Sequence, residues 1–139
     1  MNSRALGETI ALGAISGMRS MSGPAVLAMR APEQNALTRA IPALAVGEMI
    51  ADKLPFMGDR IDPLPLAGRA MMGALVGGYL AREDDSNIVF GGLIGAATAV
   101  IVAHLAYRAR LMASERLGAS AGFIEDGLVV GIGSALSPR

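Results

Sequence analysis

Residues 88–107 read IVFGGLIGAATAVIVAHLAY, twenty positions without a formal charge. Only Thr98, His104 and Tyr107 carry a polar side-chain group there. As a helix rising 1.5 Å per residue, the stretch is about 30 Å long, close to the hydrocarbon thickness of a bilayer. A helix packed in water keeps one wet face, and this one has none. Asp84 and Asp85 precede it, and Arg108 and Arg110 follow. The stretch reads as a transmembrane helix, and the rest of the chain has to be compatible with a bilayer around it.

Composition agrees with that requirement. Of 139 residues, 53% are hydrophobic and 17% charged, where soluble domains carry about 25% charge. The length suits one domain. Eighteen Gly, no Trp and three Phe suggest helices packed closely on small residues. Twelve basic residues balance twelve acidic ones, so no net field argues for a nucleic-acid partner. The absence of Cys removes disulfides, thiolate chemistry and Cys-based metal sites. Glu8 interrupts the early apolar region, so a cleaved secretory signal is not expected.

Five spans emerge in order. Residues 5–29 form the first, interrupted by Ser16-Gly17-Met18-Arg19-Ser20-Met21-Ser22-Gly23-Pro24. Gly and Pro unwind a helix at that point, which predicts a discontinuous first helix with Arg19 near mid-membrane. An ordinary proline kink with Arg19 in a structural ion pair is the plainer alternative. A short second span covers residues 40–54, with Glu48 and Asp52 four apart on one face. A turn-rich loop with Asp59, Arg60 and Asp62 follows. The third span covers 66–80, the fourth 88–107, and the last 122–136, with Glu125 and Asp126 near its start. Residues 108–121 are expected to form a separate interfacial helix. Five crossings would set the termini on opposite sides, and the distribution of Lys and Arg favours a cytoplasmic N-terminus.

Two halves, residues 5–55 and 88–137, echo each other. Gly13 and Gly17 match Gly91 and Gly95, Arg30 matches Arg108, and Glu48 matches Glu125, at an offset of 77 to 78. Three intervening spans would make the copies an inverted repeat, an arrangement that places sites at the membrane midplane in many transporters. Spaced glycines also recur as Gly13/Gly17, Gly73/Gly77, Gly91/Gly95 and Gly127/Gly131. They speak for close helix packing or a homo-oligomer rather than for chemistry.

A charge inside a membrane helix faces a partner or a water-filled cavity, because burial in lipid costs from about 2.5 kcal/mol upward. The candidate substrate- or ion-binding residues are therefore Arg19, Ser20, Glu48, Asp52, Glu125 and Asp126. The plainer reading is that these charges only pin the bundle, or sit among headgroups. His104, a lone His, more often hydrogen-bonds a neighbouring helix than binds haem or relays protons. The Asp59–Asp62 loop is better read as salt-bridged and solvated than as a metal or phosphate site. No phosphate loop, Ser-His-Asp set or metal signature is present, so neither a cofactor nor an enzymatic activity is expected.

The stretch Gly47-Glu48-Met49-Ile50-Ala51-Asp52-Lys53-Leu54-Pro55, the following Pro65-Leu66-Ala67-Gly68-Arg69 and the late Glu125-Asp126 pair resemble the small bacterial integral membrane proteins grouped as domain of unknown function 4126. The match covers most of residues 40–136, and Gly127 stands where Ala is expected after the acidic pair. The resemblance implies bacterial inner-membrane residence and weight on these acids, and promises no activity. Together, the readings describe an all-α, polytopic membrane helix bundle of five spans. The leading function is transport, or a channel, for an ion or small solute, in a homo-oligomer embedded in the lipid bilayer. The alternative is a structural or accessory subunit of a membrane complex.

Overall fold

The computed structural model describes residues 1–51, 62–117 and 120–136. Those residues form six helices and no strand: α1 (Ser3–Met18), α2 (Ser22–Arg30), α3 (Ala36–Ala51), α4 (Pro63–Glu83), α5 (Ile88–Leu117) and α6 (Ser120–Leu136). The fold is all-α. One of these helices is long and apolar enough to cross a membrane, over Ile88–Ala113 with a mean hydropathy of 2.1.

Local chemistry sets the helix ends. The Asn2 side chain accepts from the amide of Ala5 at 2.8 Å and starts α1, as a short polar side chain does at a helix N-cap. Pro63 stands in the first turn of α4, where its missing N–H leaves no helical bond unmade. Asp85 takes a positive φ of 49° in the turn after α4, a conformation that Asp adopts more readily than most residues. Asn87 then accepts from the amide of Phe90 at 3.0 Å and opens α5.

The break after Met18 is where sequence and structure diverge most. The helix does stop, with Arg19 extended at φ −142° and ψ 117°, but the chain then reverses. Arg30, closing α2, donates to Glu8 near the start of α1 at 2.9 Å. A Cβ on Gly23 would strike the Ser16 hydroxyl and lie 2.8 Å from the Leu12 carbonyl oxygen, so only glycine permits this approach. Residues 5–29 are thus an antiparallel hairpin with its tip at Arg19–Met21, rather than one interrupted crossing. Burial drives the reversal: Leu12 and Ile15 from one arm and Val26 from the other meet Val76 and Leu80 of α4 in one apolar cluster.

The centre of the bundle is a seam of glycines. Gly73 meets Gly95 and Gly77 meets Gly91 through backbone atoms, which fixes α4 and α5 antiparallel. Gly13 faces Gly95 and Thr98, and Gly17 faces Ala99 and Ala103; with Asn2 bonded to Asp84, α1 runs parallel to α5. Three of the four glycine pairs expected from sequence therefore form close seams, as small residues allow. Gly127 and Gly131 of α6 face open space, as does Gly47 of α3.

The outer helices follow the same axis. Glu48 of α3 reaches the hairpin tip. Along α6, Asp126 meets Arg19, Gly133 approaches Val26 and the Leu136 carbonyl meets Arg30. Six helices alternate in direction, so Asn2 and Leu136 lie at the same end, in contrast to the odd number of crossings expected. The parallel course of α1 and α5 likewise differs from the opposed pair that inverted copies would present, and α5 has no counterpart of the break. Nor do residues 108–117 form a separate helix. Arg, Leu, Met, Ala and Glu are good helix formers, and they extend α5 without interruption.

Candidate functional site

The hairpin tip brings a buried Arg19 together with Ser20 and the Glu48 carboxylate. Gly17 packs on Ala99 and Ala103, which lie eleven and fifteen residues beyond Ile88, or about 17–22 Å along α5. Three features of sequence build the tip there. Gly17 lets α1 approach α5, the extended Arg19 ends the helix, and Pro24 sits in the first turn of α2, where an amide donor is dispensable.

Glu48 closes the tip from α3. Its Oε1 accepts from the Ser20 amide at 3.0 Å and the Ser20 hydroxyl at 2.7 Å. Its Oε2 accepts from the Met21 amide at 2.9 Å. These donors sit just ahead of α2, at the end where a helix presents unsatisfied N–H groups and favours negative charge. A carboxylate is the natural occupant.

Arg19 is 1% exposed. Its Nε donates to Asp126 Oδ1 at 3.0 Å, and Nη2 contacts the same oxygen. The pair joins the tip to α6. Glu125, one residue earlier and also buried, pairs instead with Arg110 of α5 at 2.6 Å. Arg19, Ser20, Glu48 and Asp126 therefore converge, while Glu125 belongs to a neighbouring pair. Asp52 lies outside the described residues, as do Asp59 and Arg60.

Arg69, named in the sequence only within the family resemblance, was not among the candidate site residues. It is 5% exposed and lies one turn before Gly73, which brings it level with Ala99 and so with the tip. His104 is exposed and its Nδ1 bonds the Val100 carbonyl one turn back in α5 at 2.9 Å, rather than a neighbouring helix as expected. No group of three or more His, Cys, Asp or Glu suited to a metal ion occurs among the described residues.

Beside the tip lies an apolar cavity of about 240 Å³ between α2, α3 and α6, beginning at Ser22. The Oγ atoms of Ser22 and of Ser16 are buried without a hydrogen-bond partner. Comparison of the chain with family models, with curated proteins and with solved structures gives no match.

Proposed function

We propose that this chain is a polytopic protein of a bacterial inner membrane that moves an ion or small solute through a site at the hairpin tip. Support for membrane residence comes from α5. Only 22% of its apolar window is buried within the bundle, whereas the core helix of a soluble domain would be mostly covered. Exposed Leu75, Leu93, Ile101 and Leu105 extend that apolar surface over α4 and α5, a surface suited to lipid. The resemblance of residues 47–55 to small integral membrane proteins points the same way.

One observation carries the site: a carboxylate on three donors of a reversed chain, beside a buried Arg, some 20 Å along an apolar helix. Non-helical backbone is tolerated at membrane depth only inside protein or along a water-filled path, and intramembrane charges mark such paths.

A second reading has its own support. Glu48 and Arg19 both have partners, and Gly47, Gly127 and Gly131 face open space, as an accessory subunit that packs against other helices would have them. Cysteine accessibility in this Cys-free chain separates the two. Ser20→Cys in proteoliposomes should react with a membrane-impermeant thiol reagent from at least one side if solute reaches the tip. Complete protection from both sides would favour the accessory role.

A further inference from the structure

We propose that the groove between α2, α3 and α6 holds one acyl chain of an anionic phospholipid, whose headgroup phosphate sits on Arg39. The inference rests on the membrane residence argued above, and not on transport.

Neighbouring contacts fix the depth of the groove. Gly77 lies against both Gly91 and Thr9, so Glu8 and Thr9 of α1 are level with the start of the uncharged run. Arg30 bonds Glu8, which sets the Met29 end of the groove three residues down α5 from Ile88, or about 5 Å. The Ser22 end adjoins the hairpin tip, about 17 Å down the same helix. The groove thus runs along the helices within a single leaflet, from just below the headgroups to mid-membrane.

The width decides between occupants. From Ser22 to Met29 the α2 wall is about 10 Å long. A volume of about 240 Å³ over that length leaves a section of about 25 Å². A partner helix is about 10 Å across and needs about three times that area, whereas a single hydrocarbon chain fits. The walls suit such a chain: Val26 and Met29 of α2, Pro42 and Ala45 of α3, and Val129 and Gly133 of α6 are apolar. Ser22, at the inner end, keeps its Oγ buried and leaves that end apolar too. The other hydroxyl, of Ser134, lies two residues from the Leu136 carbonyl that meets Arg30, towards the headgroups. Val46 and Val130, both more than half exposed, form the rims, so the groove opens sideways to lipid.

Charge selects the head. Arg39 is exposed and stands one turn before Pro42 on α3. Glu48 marks the tip on the same helix, so Arg39 lies about 13 Å nearer the headgroups, close to the depth of Arg30. Arg30 is engaged by Glu8 and the Leu136 carbonyl, whereas Arg39 makes no ion pair among the described residues. A guanidinium matches a phosphate in charge and in shape, and a basic residue at a leaflet surface attracts anionic lipid. The lipid that satisfies both ends of the groove therefore carries a net negative headgroup.

The chain contains no Trp, so Val46→Trp puts a single indole at the rim of the groove, and Ile101→Trp puts one on the open face of α5. Each full-length variant is reconstituted in phosphatidylcholine vesicles and its fluorescence titrated with phosphatidylglycerol or phosphatidylcholine brominated on the acyl chain. At position 46, brominated phosphatidylglycerol should quench at about one fifth of the mole fraction that phosphatidylcholine requires, the weight of one Arg beside an anionic headgroup. At position 101 the two lipids should quench alike. Arg39→Gln in the Val46→Trp chain should remove the preference, and Ala45→Phe, which fills the groove, should remove it with Arg39 intact. Should Ala45→Phe not fold, Arg39→Gln decides alone. Equal quenching by the two lipids at position 46 would overturn the proposal, as would a preference that survives either change. Quenching at position 101 with none at 46 would mean that protein covers the groove, so the lipid falls and membrane residence stands. Quenching at neither position would remove membrane residence itself.

Discussion

Ser20 and Glu48 are 28 residues apart in sequence, and the hydroxyl of one lies 2.7 Å from the carboxylate of the other. The contact ties α3 to the point where the chain reverses between α1 and α2. Since α3 packs mainly on α2, this bond and its two amide neighbours add a second tie, from α3 to the turn between α1 and α2. Glu48→Ala would leave two amides and a hydroxyl without their acceptor, at about 1–3 kcal/mol for each buried group left unsatisfied. Glu48→Gln retains one acceptor and should lose less, and Ser20→Ala should lose about 1 kcal/mol. Unfolding in mixed micelles, with the three variants side by side, checks the order.

Arg19 and Asp126 should behave as one unit. Removing only the Arg leaves a carboxylate among buried groups, so Arg19→Ala should cost about 3–5 kcal/mol. Replacing both by apolar residues should cost less than the sum of the single changes, because neither charge is then stranded. A double-mutant cycle on unfolding free energies measures this coupling, and strictly additive costs would deny it.

The glycines divide into two classes. A Cβ on Gly77 would collide with the Gly91 carbonyl, so Gly77→Ala must force α4 and α5 apart, at about 1–3 kcal/mol or more. Gly47 and Gly127 meet nothing within 4 Å, and Ala there should be neutral or gain up to about 1 kcal/mol of helix propensity. Thermal unfolding of the three alanine variants distinguishes the classes. A loss of stability and of oligomer at Gly127→Ala would instead mean that another copy covers α6.

Acid should loosen the end of the bundle opposite the tip. In the α4–α5 turn, the Asn2 amide donates to Asp84 at 2.7 Å and the Ser86 hydroxyl at 2.9 Å. These bonds, the Asn2 amide foremost, hold the carboxyl below its ordinary value of 3.8. A depressed pKa means that the unfolded chain takes up the proton first. The contribution of Asp84 is therefore complete above about pH 4 and is lost as pH falls through the lowered value. Wild type and Asp84→Asn should differ in unfolding midpoint at pH 6, and the difference should shrink as pH falls below 3.8.

Much of this architecture was legible in the chain. The uncharged run from Ile88 announced the longest apolar helix, Gly17 to Pro24 announced the interruption, and three glycine pairs announced where backbones touch. Arg19, Ser20, Glu48 and Asp126 were named together because an intramembrane charge needs a counterpart. The reversal was not legible. A Gly/Pro break says that a helix stops, but the direction of the next helix depends on what its apolar face can bury. Here Val26 found Leu12 and Ile15 by folding back. The same gap hid Arg69, whose level in the bundle follows only from the register of α4 on α5. It also hid Arg110 as the partner of Glu125, because that pair depends on α5 continuing past Tyr107.

The fastening of α2 by α6 sets an order on assembly. Asp126 follows Arg19 by 107 residues, and the Leu136 carbonyl follows Arg30 by 106. At about 5–20 residues per second of synthesis, the hairpin waits roughly 5–20 s for the helix that completes both its ends. A ribosome that stalls before α6 thus leaves a hairpin lacking its last two clasps.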